Sequence, residues 1–391
     1  MNSIKHPNII ARAIILSLGA AVALGFVRFN YALLLPTMRT SLEWTYVQAG
    51  SMNTANALGY LFGAFIAAPI AGQVGLARTF WISLLFTGML LFITGLTDNF
   101  QVLWTLRLLA GVSSATTFIA GAALASHLAS GERSSLVLGL YFGGVGIGVG
   151  MAGLGLPQLL EQNADLWRQA WIVMGMVSLG ITVIARQVAL HIPTATKASI
   201  KTERPRFPTA LFPALVAYFL FGLGYITYMT FVIAFLRSSG IEVWALSGFW
   251  VILGTSSFAS AFVWSRLLEQ TKGGQALAVV QSVVSLGAVL PLFSTSLSVI
   301  FLSAILFGGS FLNVVSVVTN IVRQALPVQA WATGIALFTV IFSLGQMMGP
   351  LISGALADRT ATLAGGFMLS AGFLFVGAII ALFQKQLRYT E

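Results

Sequence analysis

The chain contains no cysteine, and charge is scarce: only 8% of its 391 residues are Asp, Glu, Lys or Arg. Without thiols there are no disulfides, no thiolate metal sites and no cysteine nucleophile. Soluble domains carry about 25% charged residues, so this little charge cannot furnish a water-facing surface. Acids are scarcer than bases, ten against twenty, and histidine occurs three times. The acids are Glu43, Asp98, Glu132, Glu161, Asp165, Glu203, Glu242, Glu269, Asp358 and Glu391; the histidines are His6, His127 and His191. All fall in polar breaks, at predicted helix ends or in tails. A membrane-embedded enzyme would need a base, nucleophile or metal cluster, and a proton-driven carrier typically keeps an acid in the membrane. Neither is visible, and no metal or cofactor site is expected.

What the sequence has is apolar length. Hydrophobic residues make up 58% and mean hydropathy is +0.92. Runs longer than 18 residues can each cross the roughly 30 Å hydrocarbon core as a helix. Twelve are predicted, at 13–36, 46–70, 79–97, 101–126, 135–157, 168–188, 210–236, 243–266, 274–294, 298–322, 331–355 and 363–384. The breaks carry turn chemistry or charge, as in "TDNF" at 97–100 and "SGERSS" at 130–135. The longest polar stretch, "HIPTATKASIKTERPRFP" at 191–208, divides the runs six and six. The expected organisation is therefore an all-α membrane protein: an N-terminal six-helix bundle (1–190), a linker (191–209) and a C-terminal six-helix bundle (210–391). The first run has a basic start but no small-residue cleavage site with a polar segment after it, so it is read as a span rather than a signal peptide.

With the N-terminus inside, fourteen basic residues fall in cytoplasmic segments and four, Arg39, Arg168, Arg237 and Arg359, in external ones. That asymmetry places both termini and the linker in the cytoplasm. The net charge of +10 is thus a topology signal facing anionic lipid, not a nucleic-acid footprint. The expected partners are the bilayer and a small solute.

The halves also repeat. "LGFVRFNYALLL" (24–35) aligns with "LGYITYMTFVIA" (223–234), and "LLAGVS" (108–113) with "ILFGGS" (305–310). Gly139 and Gly150 match Gly334 and Gly345 at the same spacing. Three matches in order imply a duplicated six-helix unit around a central cavity.

With this architecture the chain resembles the major facilitator superfamily. Arg107 and Gly111 in "RLLAG" are similar to its fourth-helix R-x-x-x-G element. The run "GLYFGGVGIGVGMAGLG" (139–155) is similar to its fifth-helix glycine motif, and "GQMMGPLISG" (345–354) to the eleventh-helix counterpart. The stretch "RFNYALLLPTM" (28–38) resembles the hallmark of the bacterial YbfB/YjiJ-like branch. The resemblance implies a monomeric inner-membrane transporter working by alternating access, with helices one, four, seven and ten lining the cavity. One departure stands out. The loop "AGQVGLARTF" (71–80) keeps Gly72, Gly75 and Arg78 but lacks the acidic residue with which that superfamily forms a cytoplasmic charge latch.

Two ionisable residues remain inside predicted spans, Arg28 and Arg107. Arg at the centre of a lipid-facing helix costs roughly 2.5–3.5 kcal/mol on insertion scales. Their repeat partners are Thr227 and Ala304, so the charge is confined to one half. With no buried acid to pair with, a guanidinium fork points to an anionic ligand, against the alternatives of snorkelling or helix–helix bonding. Tyr31, three residues from Arg28, is expected on its face. Asn53, Asn56 and Tyr60 share a face of the second helix; Asn313, Ser316 and Asn320 share one on the tenth. Thr227 and Tyr228 are expected on the C-terminal side of the cavity, with Gln281 and Gln346 as further candidates. Each alone is also explained by helix–helix hydrogen bonding, worth about 0.6 kcal/mol.

Gly139, Gly143, Gly146, Gly150 and Gly153 recur at helical spacing and should let a neighbouring helix approach closely, with Gly349 and Pro350 as the counterpart. No lysine follows the glycine run, which excludes a phosphate loop. The expected function is transport of a small organic anion. Alternatives are efflux of amphipathic or aromatic compounds and, outside transport, a membrane sensor or assembly protein.

Overall fold

In a chain that cannot satisfy its backbone with water, long helices are the available solution. The computed structural model describes residues 9–128, 132–193, 209–264, 271, 273–327 and 330–387, and among these there is no strand. Twelve helices are long and apolar enough to cross a membrane. They are α1 (Ile9–Ser41), α2 (Tyr46–Val74), α3 (Leu76–Thr94), α4 (Phe100–Leu128), α5 (Glu132–Gln162), α6 (Trp167–Leu190), α7 (Phe212–Ser238), α8 (Val243–Val263), α9 (Gln275–Phe293), α10 (Leu297–Ala325), α11 (Trp331–Thr360) and α12 (Ala364–Leu382). The predicted linker lies almost wholly outside the described residues.

Local chemistry sets several boundaries. Thr45 starts α2 with a capping box: its hydroxyl accepts from the Gln48 amide at 3.1 Å and the Gln48 side chain accepts from its own amide at 2.9 Å. Gly75, at φ 90°, makes the turn into α3 in a conformation other residues avoid. Two helices are irregular where uniform spans were expected. Residues Ala21–Phe29 of α1 form a π-helix, closed by Asn30 N to Gly25 O at 2.9 Å. Helix α10 is broken at Gly309 and Ser310 between Leu297–Gly308 and Phe311–Ala325.

The packing repeats itself across the halves. In the first, α1 packs on α5, α2 on α4 and α3 on α6; in the second, α7 packs on α11, α8 on α10 and α9 on α12. Among the contacts that join the halves, α2 with α11 and α5 with α8 are equivalent under the same exchange. The outer part of α1 (Tyr31–Ser41) also packs on α7. Helix α7 is the most enclosed of the twelve, followed by α1.

Candidate functional site

The centre is built around residues 27–30 of α1. All eight expected binding residues, Arg28, Tyr31, Asn53, Asn56, Arg107, Thr227, Tyr228 and Asn313, are buried. They do not form one group.

Arg107 of α4 is held through both terminal nitrogens, while its Nε is buried with no partner among the described residues. Its Nη1 donates to the Val27 carbonyl, and Nη2 donates to Asn53 Oδ1 at 3.0 Å. Its guanidinium lies over the rings of Tyr31 at 4.9 Å and Trp171 at 5.6 Å. Asn53 passes the link on, donating to the Thr230 hydroxyl of α7 at 2.7 Å. Asn56 donates to the Arg107 carbonyl at 3.3 Å.

Arg28 is held lightly. Its one hydrogen bond among the described residues runs from Nη2 to Gln346 Oε1 of α11, at 2.6 Å. The amide nitrogen of Gln346 donates in turn to the Tyr225 hydroxyl of α7. The ring near Arg28 is that of Tyr60, at 5.4 Å. Helix α1 extends to Ser41, so Arg28 lies about 20 Å from that end at 1.5 Å per residue. It is therefore farther from the helix end than the predicted span implied.

Several expected neighbours point elsewhere. Tyr31 lies under Arg107, and its hydroxyl donates to the Ala49 carbonyl at 2.8 Å. The i, i+3 rule that paired it with Arg28 assumes a regular helix, whereas this stretch contains a wider π turn. Tyr228 shares a hydrogen bond with Ser303 at 2.6 Å and stacks on Phe307 at 4.1 Å, inside the C-terminal half. Thr227 donates to Leu223 O at 2.9 Å and receives Ser353 at 3.3 Å. Asn313 is buried with no partner on its amide nitrogen among the described residues. Gln281 donates to Ala217 O at 3.2 Å, bridging α9 and α7; Ser316 and Asn320 are not buried.

Sequence reasoning missed Tyr225, Thr230 and Asn30. Asn30 donates to Gly148 O of α5 and accepts from Trp250 Nε1 of α8, both at 3.2 Å. Beside Arg28 runs an aromatic stack. Tyr225 lies nearly parallel to Phe221, Phe342 and Phe311, at centroid distances of 4.9, 5.5 and 6.1 Å. Phe29, in the π segment, meets Phe311, at the α10 break, edge-on at 5.5 Å. The two irregular segments thus meet at the site, as they do in transporters that bind substrate at discontinuous helices.

The glycine face divides. A Cβ at Gly146 would lie 2.3 Å from Gly254 O; one at Gly143 would meet the Phe258 ring at 2.6 Å, and one at Gly153 would meet Trp250 at 3.0 Å. All three face α8. Cβ atoms at Gly139 and Gly150 would meet nothing within 4 Å, although the Gly150 backbone lies against Gly254. Pro350 abuts Gly50 of α2, whereas Gly349 faces Leu223 of α7.

The α2–α11 seam is also hydrogen-bonded where α2 begins. Asp358 accepts from the amides of Tyr46 at 2.7 Å and Val47 at 3.0 Å. Gly354 abuts the Tyr46 carbonyl, and the Thr54 hydroxyl donates to Met347 O at 2.8 Å. At that end Arg39 covers the Tyr46 ring at 3.8 Å, beside a pocket of about 260 Å³ that also includes Arg237.

Twelve membrane helices in two equivalent sets of six, joined by paired seams around irregular central segments, define a transporter of the major facilitator fold. Solved structures share it across nearly the whole chain. The nucleoside transporter NupG is 15% identical and covers 96% of this chain and 98% of its own, with a TM-score of 0.73. A bacterial homologue of the human lysosomal transporter Spinster, inward-facing and occupied, is 15% identical over 94% of this chain and 95% of its own, at 0.69. The human organic anion transporter MFSD10 is 12% identical over 96% and 100%, at 0.68. Residues 20–382 match the family described as the uncharacterised MFS-type transporter YbfB, and the chain belongs to it. The MFS-type transporter YceJ of Bacillus subtilis is 25% identical over 339 residues, 84% of either chain. The protein is a multi-pass membrane transporter.

Proposed function

We propose that this transporter carries a small organic anion by alternating access, with Arg28 binding the charge. The observation that carries the reading is the unequal satisfaction of the two central arginines. Arg107 is tied to Val27, Asn53 and two rings, and we assign it to holding α1, α2 and α4 together. Arg28 has one neutral acceptor, which is on the opposite half. A hydrogen bond to a charged group is worth about 1.5–3 kcal/mol, which with one ring roughly offsets the insertion cost. Most of the fork's donor capacity is left for a ligand. Binding at that point would bear on both halves at once. The organic anion transporter MFSD10, which shares the fold, carries the same class of cargo.

We further propose a monomer in the inner membrane, with bundles at 1–190 and 210–391, both termini cytoplasmic, and no enzymatic activity. A cysteine replacing Asn99 should react with an impermeant maleimide in intact cells, and one replacing Ser199 should not. The reverse pattern refutes that orientation. The test of the function is uptake of radiolabelled carboxylates into proteoliposomes. Arg28→Ala should abolish saturable uptake, while Arg28→Lys, which keeps the charge but loses the fork, should retain uptake with weaker affinity. Wild-type affinity in Arg28→Ala would make the arginine structural and remove the anion assignment.

A further inference from the structure

We propose that the anion is an aromatic monocarboxylate, and that in the structure described here Gln346 and Tyr225 stand where its carboxylate and ring bind. This rests on Arg28 being the anion-binding group.

The charge follows from the count of available cations. Arg28 and Arg107 are the basic residues buried at the centre, and Arg107 is already bonded to Val27 and Asn53. One lightly bonded guanidinium matches one carboxylate; a dianion would bring a second charge into the membrane interior without a partner, which is costly. The carboxylate would displace an amide. Gln346 Oε1 accepts from Arg28 at 2.6 Å, but an ionised, two-oxygen acceptor bonds a guanidinium about twice as strongly and can fill both prongs of the fork.

The ring follows from what Gln346 touches. Its amide nitrogen donates to the Tyr225 hydroxyl, so the polar chain from Arg28 ends on an aromatic ring after two hydrogen bonds. That ring belongs to the stack with Phe221, Phe342 and Phe311. Phe29 follows Arg28 in the chain and meets Phe311, and Tyr60 lies 5.4 Å from the guanidinium. A carboxylate on Arg28 that displaces Gln346 therefore carries its substituent toward the Tyr225 stack, with Tyr60 and Phe29 close by. A planar ring gains offset or edge-on contacts there that a saturated ring of similar size does not, a preference of about three- to tenfold.

The probes are benzoate, cyclohexanecarboxylate and benzamide, measured by equilibrium binding to purified full-length protein and by uptake into proteoliposomes. Benzoate should bind about three- to tenfold more tightly than cyclohexanecarboxylate, and benzamide should not compete. Gln346→Ala, which removes the resident acceptor, should tighten benzoate binding; Gln346→Glu, which supplies a permanent carboxylate, should abolish it. A merely structural glutamine would weaken binding in both variants. Equal affinity for benzoate and cyclohexanecarboxylate, with binding lost in Arg28→Ala, overturns the ring assignment and leaves the anion reading standing. Benzamide binding as well as benzoate, insensitive to Arg28→Ala, overturns both. Failure of wild type to bind any probe, or weaker benzoate binding in Gln346→Ala, also overturns the proposal.

Discussion

The α5–α8 seam yields a matched pair of substitutions with opposite outcomes. At Gly146 an added Cβ would sit 2.3 Å from Gly254 O and 2.8 Å from Phe258 N, both backbone atoms that no rotamer change can move. Ordinary contact begins at 3.4 Å, so α8 must retreat by about 1 Å. Overpacking of this kind costs about 1–3 kcal/mol. At Gly150, one turn along, a Cβ meets nothing within 4 Å. There Gly→Ala should be neutral or gain up to about 1 kcal/mol from helix propensity. Gly254→Ala, with Gly146 O and Gly150 N both at 2.6 Å, should resemble Gly146→Ala. Thermal unfolding of purified protein in detergent reads all three. The expected order is Gly146→Ala and Gly254→Ala below wild type, with Gly150→Ala at or above it. A Gly150→Ala loss equal to that of Gly146→Ala, or no loss in either Gly146→Ala or Gly254→Ala, would refute the contact geometry on which the argument rests.

Two further outcomes follow from the hydrogen bonds. Arg107→Ala strips Val27 O and Asn53 Oδ1 of their donor, at about 1–3 kcal/mol for each unsatisfied group. It should lower thermal stability clearly more than Arg28→Ala, which strips only Gln346; equal losses would contradict the division of labour between the two arginines. Asp358→Ala removes the acceptor for Tyr46 N and Val47 N, a cap worth about 0.5–2 kcal/mol. A cysteine replacing Thr54, on the same seam, should then react faster with maleimide, and an unchanged rate would show that the cap does not hold the seam.

The twelve spans were legible because apolar length is dictated by the bilayer. Their ends were less so. The first helix was expected at 13–36, bounded by Arg12 and Arg39, yet α1 includes both, since a long cationic side chain can reach polar surroundings from within a helix. The site was legible in its charges and not in its neighbours. Arg28 and Arg107 stand out in any apolar run, whereas α7 is apolar and buried on nearly all sides, so no periodic pattern shows which of Tyr225, Thr227, Tyr228 or Thr230 faces α1. Aligning the repeats chose Thr227 opposite Arg28; the structure uses Tyr225 and Thr230. The glycine spacing predicts one bare face on α5, but spacing alone does not show where along that face the neighbouring helix comes closest. A Cβ at Gly143, Gly146 or Gly153 would meet α8, while one at Gly139 or Gly150 would meet nothing within 4 Å.

The missing acid of the 71–80 loop gains meaning from where a carboxylate does sit. Among the described residues the one ion pair is Arg168 with Asp98 at 3.3 Å, at the same end of the bundle as the α1–α2 turn. Asp358 is at that end too, on the N-terminus of α2, where the helix dipole favours an anion. At the opposite end Arg78 is exposed and belongs to no ion pair among the described residues. A cap that clasps one end biases a two-state equilibrium toward the state closed at that end. At about 1 kcal/mol for the cap the bias is about fivefold. On the function proposed above, cargo at Arg28 would break the Gln346 bridge between the halves and so act on the same equilibrium from the centre. On this reasoning Asp358 and Gln346 both stabilise the resting conformer, one by a fixed contact and the other by a contact that the cargo can replace.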